Sequence, residues 1–150
     1  MSDRSARNET CAGGVVFRRD AGRVLFALAE ERDRLTGAQN VRLAKGHVEP
    51  GETAKQAAVR EVREEIGLST AIVAELGSVH YTFVEAGVTV AKEVHFFLME
   101  DSGSAPQPLD GEMQRVTWCP AEDAAARLSF ETERGVARRA HRAIARLPVS

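Results

Sequence analysis

The chain has 150 residues, 43% of them hydrophobic, with 28% charged residues and a formal net charge of −2. That length sets one domain with one substantial core, and the near-neutral balance excludes a strong electrostatic pull toward nucleic acid or a membrane surface. Cys11 and Cys119 are far apart and lack metal-ligand spacing, no apolar run approaches a membrane span, and Met1 to Thr10 has no signal-peptide core, so the expectation is a cytoplasmic protein with reduced thiols.

Residues 1–10 are expected to be a flexible tail and residues 11–150 a single domain. Cys11 to Arg18 and Arg23 to Ala29, rich in Val, Phe and Leu, read as an antiparallel hairpin turned at Asp20 to Gly22, with Gly13-Gly14 marking a bulge or a close backbone approach. A polar loop over Arg32 to Asn40 leads to a short strand around Val41 to Ala44. Thr53 followed by Gln56 is a capping-box pattern, and Gly67 stands where a helix ends, so a helix is expected over about residues 53 to 66. Ala58, Val59, Val62 and Ile66 give it an apolar stripe.

Ala71 to Phe83 and Val88 to Met99 read as two longer strands with a turn near Glu85 to Gly87, and Ser102 to Gly111 as a surface loop. Met113 to Cys119 is the last expected strand, with Trp118 as core, and Pro120 opens a short helix through Leu128. Thr132 to Leu147 is the closing helix, with Val136, Ala140, Ile144 and Leu147 at helical spacing. Its arginines are read as a solvated face, with assistance to RNA or a phosphate tail as the other reading. Strands around a central and a terminal helix point to an α/β/α sandwich on a mixed, largely antiparallel sheet.

The chemistry concentrates on the first helix. Glu61, Glu64 and Glu65 are three and four positions apart and share one side of it, and Glu64 and Glu65 stand at the end where the helix dipole disfavours anions. Clustered carboxylates raise one another's pKa unless a cation intervenes, and an oxygen-rich site of this kind suits Mg2+, or Mn2+, bound together with substrate phosphates. A solvated helix face paired to Arg60 and Arg63 is the alternative for the acids alone.

Gly46, Glu52, Arg60-Glu61-Val62-Arg63-Glu64-Glu65-Ile66-Gly67-Leu68 in this spacing resemble the full signature of the Nudix hydrolases, G-x5-E-x7-R-E-U-x-E-E-x-G-U with U aliphatic. The resemblance implies a Nudix-type sandwich and a Mg2+-dependent pyrophosphohydrolase acting on a nucleoside diphosphate linked to another group. It implies metal ligation by Glu61, Glu65 and a Gly46 carbonyl, with Glu64 as a ligand or, like Glu61, as the general base. Glu112 is the candidate for a further metal-binding acid, and Glu52 is expected to pair with Arg60. Lys45-Gly46-His47 and Lys92-Glu93-Val94-His95 are similar to segments of the diadenosine polyphosphate hydrolases, which makes Lys45, His47 and Lys92 candidate phosphate-binding groups and Tyr81 a base-stacking one. Val41 and Ala44 stand where that subgroup has Trp and Pro, so base recognition falls to Tyr81, Phe83 or Trp118.

The expected function is hydrolysis of diadenosine polyphosphates or related nucleoside polyphosphates by a monomer or homodimer. The alternatives are removal of oxidised nucleotides such as 8-oxo-dGTP, RNA 5′ pyrophosphohydrolysis, and a catalytically silent nucleotide-binding module.

Overall fold

The computed structural model describes residues 6–103 and 113–148. The elements are β1 (Ala6–Asp20), β2 (Arg23–Arg32), β3 (Gln39–Arg42), β4 (Ala44–His47), α1 (Ala54–Ile66), β5 (Thr70–Glu85), β6 (Val88–Asp101), β7 (Met113–Pro120), α2 (Ala121–Arg127) and α3 (Glu131–Ile144). Among the described residues seven strands form one sheet in the order β3-β2-β1-β6-β5, with β4 also paired to β1 and β7 to β2. β1 and β6 run parallel, and the other pairings are antiparallel.

Strand alternation sends successive side chains to opposite faces of the sheet, and the two faces carry two separate cores. Cys11, Val15 and Phe17 of β1, Phe26 and Leu28 of β2, and Val94, Phe96 and Leu98 of β6 pack with α2 and α3. Ala12, Val16, Ala27, Ala29, Phe97 and Met99 from the same three strands pack with Ala57, Ala58, Val62 and Ile66 of α1. The expected α/β/α sandwich is therefore realised, with three alanines, Ala12, Ala27 and Ala29, beside Val16, Phe97 and Met99 on the α1 face. Ala57 replaces Val59 in the fully buried stripe, and Val59 is half-buried.

The strands reach further than their apolar runs. Ala6 to Thr10, expected as tail, continue β1 and pair in parallel with Thr89 to Glu93, because a strand beside a long neighbour needs only its backbone groups to continue the ladder. The short strand expected around Val41 to Ala44 is two strands separated by Leu43, whose side chain is buried and whose backbone N–H donates to the Glu133 carboxylate at 2.9 Å. β1 thus has two successive partners on one side. Phe17 to Asp20 pair with β2, while Cys11 to Gly14 pair with β4. Gly13 faces Lys45 in that second pairing, and a Cβ there would collide with the Ala44 carbonyl, so the glycine marks a close backbone approach.

α1 is framed as its sequence dictates. The Thr53 hydroxyl accepts from the Gln56 amide at 3.1 Å, the Gln56 side chain accepts from the Thr53 amide at 2.9 Å, and Gly67 ends the helix in the left-handed region at φ 72°. α3 begins at Glu131 and ends at Ile144, and α2 spans Ala121–Arg127 behind Pro120. The loop expected over Ser102 to Gly111 lies largely outside the described residues. No described helix is long and apolar enough to cross a membrane.

Thr53→Ala removes the hydroxyl half of the capping box and is expected to lower stability by about 1 kcal/mol. Urea unfolding followed by circular dichroism measures it, with the denaturant slope unchanged.

Candidate active site

α1 carries three acids, Glu61, Glu64 and Glu65, and Arg60 gathers two of them together with Glu52 ahead of the helix. Its Nε and one Nη donate to the two oxygens of Glu52 at 2.7 and 2.9 Å, a bidentate pair. The other Nη donates to Glu61 and to Glu64, each at 2.8 Å, and the guanidinium also reaches the His47 carbonyl at 2.9 Å. Arg60 thereby ties the loop before the helix, the strand β4 and the acidic face together. The Glu52 carboxyl is held down at about 2 by these bonds and by the Glu49 backbone, and the same bond to Glu52, ahead of those to Glu61 and Glu64, raises the Arg60 guanidinium above its ordinary value.

The acids divide around the helix. Successive residues lie about 100° apart, and Glu64 and Glu65 have different surroundings in this structure. Glu61 and Glu65 line a charged cavity of about 590 Å³ together with Lys45, Gly46, His47 and Lys92. Glu64 is 54% exposed and leans on Arg60 outside that lining. Burial pushes the Glu65 carboxyl up from its ordinary range, against the opposing pull of Arg42 and the Lys45 amide. Arg42 donates to Glu65 at 3.0 Å, and the Lys45 N–H to the same oxygen at 3.2 Å.

The Glu61 carboxyl lies over Gly46: a Cβ on the glycine would occupy its space. The glycine therefore forms a cradle in which a carboxylate lies against the strand backbone. Carboxylate and carbonyl oxygens are the donor set that suits Mg2+ or Mn2+, so the residues present fit such an ion. Among the described residues no three His, Cys, Asp or Glu side chains are already gathered as a ligand cluster; Arg60 and Arg42 hold the acids instead.

The cations predicted for phosphate are placed around the same cavity. His47 is exposed, with Nε2 3.1 Å from Glu9. Lys92 stands beside Glu9 in the β1/β6 register, Nζ 4.0 Å from its carboxylate. Lys45 donates at 2.6 Å to Glu133, which is only 2% exposed. Glu133 was not singled out from the sequence, although it shares the stripe of Val136, Ala137 and Ala140, and an acid on an apolar helix face is a signal of a buried partner. Arg42 and Glu31 also line the cavity unanticipated.

Two further cavities adjoin the charged one. An apolar cavity of about 460 Å³ is walled by Val79, Tyr81, Phe96 and Phe130 and shares Lys45 and Phe130 with it. A more polar one of about 580 Å³, with Asn8, His80, Thr82 and Glu93, shares Lys92 with the charged cavity and Tyr81 with the apolar one. Tyr81 sits between these two side chambers, 6.3 Å from the Phe83 ring, and does not line the charged cavity. Trp118 packs against the α1 core with the Arg18 guanidinium 4.3 Å from its ring. Glu112 lies outside the described residues.

The NUDIX domain family model matches residues 9–140. The chain belongs to the Nudix hydrolase family. A Mycobacterium tuberculosis relative that carries the mutator name MutT4 is 40% identical over 136 residues, which are 87% of this chain and 53% of that protein, so the chain spans about half of its length. The asymmetrical bis(5′-nucleosyl)-tetraphosphatase of Caenorhabditis elegans is 31% identical over 113 residues, 75% of this chain and 80% of that one. The crystal structure of a C. elegans Ap4A hydrolase binary complex superimposes with a TM-score of 0.74 at 26% identity, covering 93% of this chain and 99% of the other.

Two outcomes follow from this geometry. Gly46→Ala must displace the Glu61 carboxyl and is expected to lower kcat by at least about tenfold with an unchanged circular dichroism spectrum, since small misplacements of reacting groups are costly. The Glu52 carboxyl is about 2 in the folded chain against an ordinary 4.5, so its bond to Arg60 stabilises fully above 4.5 and is lost as pH falls toward 2. The Tm gap between wild type and Glu52→Gln is expected to shrink over that window, as read by calorimetry.

Proposed function

We propose that this Nudix hydrolase splits diadenosine polyphosphates, or a closely related nucleoside polyphosphate, by water attack on phosphorus with Mg2+, or Mn2+, as cofactor. The observation that carries the reading is the charged cavity, lined by Glu61 and Glu65 together with Lys45, His47 and Lys92, with two further chambers adjoining it. A polyphosphate ending in two nucleosides has a highly charged middle and two amphipathic ends. Lys45 and Lys92, at the two boundaries of the charged cavity, are suited to its phosphates, and Tyr81 with Phe130 to a base. The similarity to the C. elegans tetraphosphatase supports the same substrate class.

Glu61 and Glu65, with the Gly46 carbonyl, would hold the ion, and Glu112 is the candidate for a further ligand. When bound, the ion supplies charge neutralisation on the nonbridging oxygens and polarises the attacking water. Glu64 or Glu61 accepts the proton of that water as general base. Glu61 lines the charged cavity, whereas Glu64 is exposed beside it and paired to Arg60. Arg60 positions the acids through Glu52, and Lys45, fixed by Glu133, offers a cation whose place on the cavity wall is set by the closing helix. A chain with every acid of the signature present is not expected to be a silent nucleotide sensor. We place the enzyme in the cytoplasm, where its substrates arise.

The second reading, removal of oxidised nucleoside triphosphates, draws on the MutT4 relative and on a Mycolicibacterium smegmatis 8-oxo-(d)GTP phosphatase that is 32% identical over 97 residues. RNA 5′ pyrophosphohydrolysis belongs with it as an end-on triphosphate reaction.

Incubation with Mg2+ and a panel of dinucleoside polyphosphates, 8-oxo-dGTP, ADP-ribose, diphosphoinositol phosphates and triphosphorylated RNA, with products separated by chromatography, decides between them. ATP released from the longer dinucleotides at the highest kcat/KM is the expected result; a higher value on 8-oxo-dGTP or RNA would overturn the dinucleotide assignment. Glu61→Gln and Glu65→Gln are each expected to cut kcat by about 10³-fold or more with the fold intact, and near-normal turnover in both would refute the site.

A further inference from the structure

Arg42 is the least expected side chain of the charged cavity. It ends β3, one residue before the break at Leu43. Its Nε and one Nη donate to the two oxygens of Glu31 at 3.2 and 3.1 Å, and its other Nη donates to Glu65 at 3.0 Å and to the Leu43 carbonyl at 3.2 Å. All three side chains are largely withdrawn from solvent, 15% exposed for Arg42, 19% for Glu31 and 23% for Glu65. An ion pair so placed is screened less than a surface one.

The two halves of this arrangement are unequal. The bond to Glu31 is a fork on a carboxylate and resists separation, whereas Glu65 receives a single guanidinium N–H. Glu65 can therefore be given up while Arg42 stays at the cavity wall. The oxygen that Arg42 occupies on Glu65 also accepts the Lys45 amide, so a dication approaching Glu65 meets a fixed positive charge within one hydrogen-bond length of its ligand.

We propose that Arg42, anchored by Glu31, competes with the divalent cation for Glu65, so that the Glu31–Arg42 pair sets the cation affinity of the site. The inference rests on the reading of Glu65 as a cation ligand. In the cation-free state Arg42 neutralises Glu65 and keeps a half-buried carboxylate partnered. With Glu65 given over to a cation, Arg42 would stay on Glu31 and on the Leu43 carbonyl, and the N–H that Glu65 releases would be open to a phosphate oxygen of the substrate. Competition for one carboxylate is reciprocal: whatever the guanidinium costs the ion, the ion costs the guanidinium.

The test is Mn2+ binding to the full chain without nucleotide, followed by electron paramagnetic resonance and by calorimetry. Arg42→Gln is expected to bind Mn2+ about tenfold tighter, an ordinary size for coupling between two partners of one group. Glu31→Gln, which removes the anchor and leaves Arg42 to Glu65 alone, is expected to bind it more weakly. Unchanged or weaker binding by a folded Arg42→Gln overturns the proposal. If that variant does not fold, the wild-type chain with 15N-labelled arginine decides by NMR: the Arg42 guanidinium signal shifts on saturation with Mg2+ if Glu65 is surrendered, and an unmoved signal overturns the competition. Glu65→Gln separates the two failures. If it leaves Mn2+ affinity unchanged, the cation reading of the site falls and this inference with it; if it weakens binding while Arg42→Gln does nothing, only the competition falls.

Discussion

Carboxylates crowded onto one helix repel one another, and α1 tolerates Glu61, Glu64 and Glu65 because arginines from two directions share them. Arg60 reaches forward along its own helix to Glu61 and Glu64 and back to Glu52, while Arg42 comes from β3 to Glu65. The bidentate bond to Glu52 is the fixed point of the set: Glu52 precedes the helix, so Arg60 cannot drift with the side chains it serves. An acidic face arranged this way has its carboxylates partnered without an ion, with Glu61 and Glu65 on the charged cavity and Glu64 outside its lining.

The sheet makes this face available by dividing β1 between two partners. Where β1 pairs with β2 it is an ordinary core strand; where it pairs with β4, small residues bring the backbones close. Gly13 admits the Ala44 carbonyl and Gly46 admits the Glu61 carboxyl. Ala12, Ala27 and Ala29 keep the layer beneath α1 thin. Bulk is moved to the opposite face, where Phe17, Phe26, Phe96 and Leu98 meet α2 and α3. α1 packs its apolar stripe on the alanine layer, while at its edge the Glu61 carboxyl lies against the backbone at Gly46.

What could be read from the chain without coordinates was local. Thr53, Gln56 and Gly67 frame α1 within a few residues of the bonds they make, and the apolar stripe lies on one helix, so both were legible. The strands of the hairpin and of β5 and β6 were legible by their β-branched and aromatic runs, but their ends were not: Ala6 to Thr10 are polar and are strand only because β6 lies alongside. Glu64 and Glu65 read as one ridge because both are in helical register with Glu61, and helix rotation separates them once a cavity exists on only one side. Glu133, Arg42 and Glu31 carried no motif, and their partners lie far away in sequence, 88 residues for Lys45 and Glu133 and 23 for Arg42 and Glu65.

Glu133 shows why such distant pairs matter to the site. A carboxylate on the buried face of α3 is costly unless satisfied, and it is satisfied by two groups that flank the break between β3 and β4, the Leu43 amide and the Lys45 ammonium. The bond to Leu43 holds the chain at the point where one strand ends and the next begins; the bond to Lys45 fixes a cation at the boundary between the charged and the apolar cavities. The closing helix lies across the sheet from α1, in the other core, yet it determines where the Lys45 ammonium stands relative to the acids of α1. The charged cavity is thus assembled through the sheet, from a helix that carries the acids on one side and a helix that positions the counter-charge on the other.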